Sequence, residues 1–260
     1  MGRADLHIHS IYSHDGTSTV PAILKQASEK SNLDVIAITD HDSMAGVAEA
    51  QALAPVYGIE VIPGMEISTA QGHLVALFIQ HPIPANLSLL QTIIRVREQG
   101  GICIAPHPEA RGTSSLKVED IRWALKQPWV AQILLGVEIF NAGLVYTRNW
   151  QRTASKILSL PLTHVGSSDA HLVSMIGKGV TIFSGKTTAD LRSALMTRQT
   201  QVPEGKGLGG MHALVSYVPR YLLRKMGWAV WNEHPEKPLR FKRLSGNLKQ
   251  SEQISSSAIL

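Results

Sequence analysis

Cysteine is nearly absent: the 260 residues hold only Cys103. No intramolecular disulfide can form, and the apolar neighbours Ile102 and Ile104 mark Cys103 as a small core residue rather than a nucleophile. Aromatic residues make up 5% of the chain and charged residues 17%, against 44% hydrophobic. Those are globular proportions, which exclude a disordered, collagen-like or coiled-coil chain. No uncharged apolar run reaches the roughly 18–20 residues needed to span a bilayer. The best stretch, Leu214 to Trp231, is interrupted by Pro219, Arg220, Arg224 and Lys225. The opening Met-Gly-Arg-Ala-Asp-Leu-His has no apolar segment behind Arg3, so no signal peptide is expected and the cytoplasm is the expected compartment.

What the chain does have is histidine, eleven in all, and an uneven charge. Residues 1–200 hold 16 Lys/Arg and 16 Asp/Glu, while residues 201–260 hold 9 and 4, so the whole net charge of +5 lies in the tail. A basic tail suits phosphates, nucleic acid or an anionic membrane surface; a solvated tail, or one packed on the main domain, is the ordinary alternative. Pro203 to Gly210 contains four glycines and reads as a linker. It divides the chain into a domain over 1–202 and a basic, partly amphipathic extension over 203–260. Leu248 to Leu260, rich in Ser and Gln, is expected to fray.

Up to about residue 183, β-rich runs alternate with helix-like stretches, as in parallel sheets with helical crossovers. Strands are expected at Arg3–Ile8, Val35–Thr39, Val61–Glu66, His73–Ile79, Ile102–Ala105, Val137–Phe140, Leu162–Ser167 and Val180–Phe183. Helices are expected at Pro21–Lys30, behind the capping residues Ser18 and Thr19, and at Ser43–Tyr57, Leu87–Gln99, Val118–Lys126, Arg148–Leu158 and Ala189–Thr197. This order fits a closed barrel better than an open doubly wound sheet, and alternation alone leaves both in play.

The His, Asp and Glu residues fall at the ends of those strands. Asp5-Leu-His7-Ile-His9 closes the first, Asp40-His41-Asp42 the second, Glu66 the third, His107 the fifth and Asp169-Ala-His171 the seventh. In a parallel barrel the C-terminal ends share one face, where active sites of that architecture are built. His-x-His on a strand sends both imidazoles to the same side. Imidazoles and carboxylates converging without thiolates suit Zn, Mn or Fe, and so many donors imply two or three ions with Glu66 available to bridge.

These stretches resemble the motifs of the PHP (polymerase and histidinol phosphatase) family of metal-dependent phosphoesterases. The match rests on Asp5-Leu-His-Ile-His-Ser10, Ser13-His-Asp15-Gly with Pro21 behind it, Ile38-Thr-Asp-His-Asp42, Gly64-Met-Glu66, Ala105-Pro-His-Pro108 and Ser168-Asp-Ala-His171. It implies an α/β fold, a distorted seven-stranded (β/α)7 barrel with a trinuclear site, to which the short basic C-terminal extension read from the charge distribution is added. Carried over residue by residue, His7, His9, Glu66 and Asp169 would hold a first ion, Asp15, His41 and His171 a second, and Glu66, His73 and His107 a third. His73 stands at the start of its strand rather than the end. At the Asp15 position either His14 or Asp15 fits; Asp15 is assigned as ligand and His14 as a group beside it.

Asp5 and Asp40 precede ligand histidines, where a carboxylate orients an imidazole or caps a loop. Arg111 follows His107 by four residues and supplies a guanidinium for phosphate, with Asn141 and Lys178 as further substrate-binding candidates. Asp15, His41, Arg111 and His171 are the expected catalytic set. The resemblance implies hydrolysis of phosphate monoesters of small metabolites or nucleotides, including oligonucleotide ends, by hydroxide generated at two to three divalent ions, Mn, Zn or Fe. Two rival readings are a non-catalytic, metal-stabilised module whose tail docks nucleic acid or a membrane surface, and an amidohydrolase-type barrel.

Overall fold

All eight expected strands form, and the computed structural model, which describes residues 1–111, 113–143, 150–203, 210–231 and 240–243, shows how they are joined. In chain order they are β1 (Gly2–Asp5), β2 (Val35–Ile38), β3 (Glu60–Thr69), β4 (Gly72–Leu77), β5 (Ile102–Ala105), β6 (Leu134–Asn141), β7 (Thr163–Ser167) and β8 (Thr181–Phe183). A two-residue β9 (Thr200–Gln201) completes one sheet of order β7-β6-β5-β4-β3-β2-β1-β8-β9. The sheet curls so that its β7 end reaches β1: beyond those two strands Ile8 and Ala170 form a parallel bridge, and the His9 amide donates to the Ala170 carbonyl at 2.9 Å. The result is a nearly closed, mixed, barrel-like α/β sheet.

The sheet is not all parallel. β1–β2, β2–β3, β5–β6 and β6–β7 pair parallel, but β4 runs antiparallel to both β3 and β5. Only Ala70 and Gln71 separate β3 from β4. A parallel crossover needs a dozen or more residues, so a hairpin is the only connection this spacing allows. Reversal of β4 puts its first residues beside the last residues of β3, with Ser68 opposite His73. The same reversal accounts for a candidate ligand at a strand start.

Helices α1 (Val20–Lys25), α2 (Ala45–Tyr57), α3 (Leu89–Glu98), α4 (Val118–Leu125), α5 (Trp150–Leu158) and α6 (Thr188–Thr197) lie where the sequence places them. The Thr19 hydroxyl caps α1 by accepting from the Ala22 amide, an interaction worth about 1 kcal/mol. Ser88 and Thr187 open α3 and α6 with reciprocal capping boxes. Leu6, Val35, Ala37, Ile62, Val75, Ile104 and Val165, drawn from or just beyond successive strands, pack with Leu191 and Leu195 of α6. Cys103 is fully buried, and burial pushes its thiol pKa up, as befits a core residue.

The expected linker Pro203 to Gly210 and the tail Leu248 to Leu260 fall almost wholly outside the described residues. Within the extension, α7 (Gly210–Lys225) is followed by the hairpin β10 (Trp228–Trp231) and β11 (Arg240–Arg243). Among the described residues no helix is long and apolar enough to cross a membrane.

Candidate metal centre

Parallel strands deliver their C-terminal ends to one rim, and the side chains there converge. His7, His9, Glu66 and His107 are buried; Asp15, His41, His73, Asp169 and His171 form the partly exposed side. His9 stacks on His171 with centroids 4.3 Å apart and lies 4.6 Å from His41, which in turn lies 4.7 Å from His73. Glu66 sits among them. Its Oε2 is 3.1 Å from His7 Nε2, 3.3 Å from His9 Nε2 and 3.2 Å from His41 Nδ1. Its Oε1 is 3.0 Å from both His73 Nδ1 and His107 Nε2.

Asp169 Oδ1 approaches His7 Nε2 at 3.5 Å and His9 Nε2 at 3.3 Å. Asp15 Oδ2 lies 2.9 Å from His171 Nε2 and 3.3 Å from His41 Nε2. Four sets each bring one donor atom per residue within 4.8 Å of the others: His9, Asp15, His41 and His171; His7, His9 and Glu66; His7, His107 and Asp169; His41, Glu66 and His73. His7, His9, His41 and Glu66 each belong to two sets, so the donors form one continuous, multinuclear arrangement.

Hydrogen bonding alone does not satisfy this arrangement. His7 Nε2, His9 Nε2, His41 Nδ1 and His73 Nδ1 are buried without a hydrogen-bond partner, although carboxylate oxygens stand within 3.0–3.3 Å of them. At roughly 1–3 kcal/mol each, four such atoms would cost about 4–12 kcal/mol, comparable with the whole stability of a domain. Ligands about 2.1 Å from a common ion are about 3.0–3.4 Å from one another, the separation seen here. A divalent cation resolves what misdirected hydrogen bonds do not, and the donor set fits one.

The charges point the same way. Burial raises the carboxyl pKa of Glu66, but His7, His41 and His107 outweigh it and hold Glu66 well below the usual range. Asp169 is lowered in the same manner by His7, His9 and His171. Burial would depress His9, yet Asp169, Glu66 and Asp15 outweigh it and raise its pKa to about 10. Without an ion, the cluster's negative charge is balanced by protons held on imidazoles.

A ring of further groups sets which nitrogens point inward. Glu138 Oε1 lies 3.0 Å from His7 Nδ1, and its Oε2 accepts from the His107 amide and from Asn141 Nδ2, each at 2.7 Å. Ser115 Oγ meets His107 Nδ1, and the Asp169 carbonyl meets His171 Nδ1, both at 3.0 Å. Asn141 Oδ1 accepts from the Gly143 amide at 2.7 Å, which fixes the amide so that Nδ2 also donates to Asp169 at 3.3 Å. His107 and Asp169 hold left-handed backbone at φ 29° and 50°. Such conformations cost roughly 1–3 kcal/mol and concentrate at functional sites.

The structure thus brings His7, His9, Asp15, His41, Glu66, His73, His107, Asp169 and His171 together. His14 is 66% exposed at the rim, 3.8 Å from Asp15 Oδ2. Asn141 faces carboxylates rather than the outside. Arg111 and Lys178 are exposed, and their side chains make no hydrogen bond or ion pair among the described residues. Asp40 and Asp5 brace loops rather than imidazoles. Asp40 accepts from the amide and hydroxyl of Ser10 at 2.5 and 2.6 Å, and Asp5 accepts from the Ser168 and Gly177 amides at 2.9 Å each. Sequence reasoning missed Glu138, whose only signal was its place three residues before Asn141 on β6, and missed Tyr217 and Arg224 of α7.

The family model described as PHP domain matches residues 5–109, and that described as PHP-associated matches residues 152–200. An uncharacterized protein of Methanocaldococcus jannaschii is 36% identical over 151 residues, covering 54% of this chain and 82% of its own. A 3',5'-nucleoside bisphosphate phosphatase of Chromobacterium violaceum is 30% identical over 149 residues, covering 56% of this chain and 52% of its own. A two-domain protein of Bacteroides vulgatus containing a predicted PHP-like metal-dependent phosphoesterase has the same fold, with a TM-score of 0.61 and 22% identity over 78% of this chain and 64% of its own. On these matches, and on the strand-end motifs they cover, the chain belongs to the PHP-domain family.

Proposed function

We propose that this protein is a metal-dependent phosphoesterase that hydrolyses phosphate monoesters of small metabolites or nucleotides. The observation that carries the reading is Glu66, whose two oxygens face separate sets of imidazoles while four nearby nitrogens lack hydrogen-bond partners. In this reading His7, His9, Glu66 and Asp169 hold one ion, Asp15, His41 and His171 a second, and Glu66, His73 and His107 a third. A nucleotide substrate is supported by the likeness to the bisphosphate phosphatase.

Divalent ions bound there supply an acidified water and positive charge against the phosphoryl oxygens. The chain's own groups fix the geometry. Glu138 keeps the hydrogen of His7 on Nδ1, so Nε2 faces inward; the Asp169 carbonyl does the same for His171. Asn141 restrains Asp169 and Glu138 together. Arg111 and Lys178, both exposed, meet the substrate from the solvent side, and His14 stands at the rim where a leaving group departs. No Ser or Cys nucleophile is required, so displacement by water is direct.

The test is elemental analysis of protein purified without chelator, with phosphate release measured on the same sample. Nucleoside monophosphates, a 3',5'-bisphosphate and histidinol phosphate are the substrates to offer. Two to three ions per chain, with turnover abolished by His9→Ala or Asp169→Ala, is the expected result. Fewer than one ion and no release after Mn or Zn reconstitution overturns the reading.

A further inference from the structure

Helix α7 lies past both matched stretches of the chain, and from Val215 onward it is packed inside out. A surface helix ordinarily buries its apolar stripe and shows water its polar face. Here Val215, Val218, Leu222 and Met226 are exposed, while Tyr217, Arg220, Tyr221 and Arg224 are partly covered. Beside the Tyr217 ring, which packs on the buried hydrophobic cluster containing Ile8 and Val20, polar contacts hold the helix to the barrel, and they gather at one place. Tyr217 Oη donates to the Asp15 carbonyl at 3.0 Å. Arg224 donates from one terminal nitrogen to the Ile11 carbonyl at 2.8 Å and from the other to the Gly16 carbonyl. The Tyr217 ring meets His171 edge-on with centroids 5.9 Å apart and stacks on Tyr221.

All three carbonyls belong to the loop that carries Asp15. One end of that loop is tied at Ser10 by Asp40, and the other at Thr17, whose hydroxyl and amide both reach the His171 carbonyl. Between the ties, the Asp15 side chain is held by Ser13 and by the cluster itself. Gly16 is pressed so closely on the Ser10 carbonyl that a Cβ would lie 1.9 Å from its oxygen. The planar fork of an arginine, with donors and no acceptor, suits two neighbouring carbonyls as a lysine does not.

We propose that α7 is a positioning element of the metal centre: Tyr217 and Arg224 hold the Ser10–Thr17 loop so that Asp15 meets His41 and His171. Occupancy of that end of the centre then depends on the appended helix, whereas the end built from His7, His9, Glu66, His73 and His107 does not. The proposal rests on the metal-centre reading above but not on the identity of the substrate.

Full-length protein carrying Tyr217→Phe, Arg224→Ala or both, with Arg224→Lys as the conservative variant and Leu222→Ser on the outward face as control, tests it. Ions per chain and Mn affinity by titration calorimetry are measured beside thermal melts and phosphate release. The double variant is expected to lose one ion per chain, or to bind its weakest ion about 10- to 100-fold less tightly, while the other ions and the fold persist. Arg224→Lys should recover part of that loss, and Leu222→Ser should match the parent. Unchanged affinity for every ion in the double variant overturns the proposal alone, as does an equal loss of all ions. A parent chain that holds a single ion overturns this proposal; fewer than one ion, with no release after Mn or Zn reconstitution, overturns the metal-centre reading as well. Should Arg224→Ala fail to fold, Tyr217→Phe, which deletes one hydroxyl, decides by the same two readouts.

Discussion

Glu138 and His7 face each other at 3.0 Å, Oε1 to Nδ1, and this contact decides which nitrogen of His7 enters the metal centre. A carboxylate only accepts, so the hydrogen stays on Nδ1 and Nε2 is turned toward Glu66 at 3.1 Å. Glu138→Gln should therefore weaken ion binding about 10- to 100-fold with the barrel intact. Titration of Mn or Zn into the metal-stripped variant reads this directly, and an unchanged affinity would refute it.

Asn141 separates two roles that the sequence alone leaves merged. Its Nδ2 donates to Glu138 and Asp169, so Asn141→Ala should lower ion retention and kcat while leaving KM within about twofold. A raised KM with a full ion complement would instead make Asn141 a substrate contact.

Chelation should lower the melting temperature, because it leaves buried imidazoles and carboxylates without their cation. Returning an ion at about 100 times its Kd should restore about 2.7 kcal/mol per site, seen as a rise in Tm. A melt indifferent to chelator would sink the idea that ions complete this centre.

The ion-free protein should grow less stable as pH rises above neutrality. His9 is raised to about 10 by Asp169 and Glu66 against the opposing effect of burial. Its unfolded value is about 6.5. The stability it contributes is thus complete below about 6.5 and is lost as pH climbs through its folded value near 10. Affinity for the ion that His9 holds should rise across the same window, since that ion displaces the proton. Melts from pH 6 to 10 with chelator present would show a falling Tm; a flat profile contradicts the sign.

Gly16→Ala should destabilise the chain by about 1–3 kcal/mol or more. The new Cβ meets the Ser10 carbonyl at 1.9 Å, a backbone contact that no rotamer relieves. Urea unfolding measures the loss, and a variant of parental stability would show that the loop can shift.

Strand positions were legible because each β-rich run is bounded by turn residues, and the ligand set because histidines and carboxylates recur at strand ends. The reversed β4 was missed: the step from Glu66 to His73 is too short for a parallel crossover, but alternation suggested a parallel sheet and hid it. Glu138 was not legible: a glutamate inside an apolar strand gives no sign of the imidazole it will face 131 residues away. Tyr217 and Arg224 were hidden for a similar reason. Their role comes from contacts with backbone carbonyls of residues 11–16, which carry no side-chain signature. Arg111 is exposed and makes no described contact, so only its spacing from His107 speaks for its part in binding substrate.

The bridge between Ile8 and Ala170 sets an order of events during synthesis. His7 and His9 are made first, yet Asp169 and His171 emerge more than 160 residues later, so a growing chain carries half a centre for most of its elongation. Until those last residues arrive, the early histidines lack the Asp169 carboxylate and the stacked His171 ring of the finished centre. On the metal-centre reading, retention of the ions is therefore a marker of a finished barrel, and a truncated or stalled product would be recognisable by its failure to keep metal.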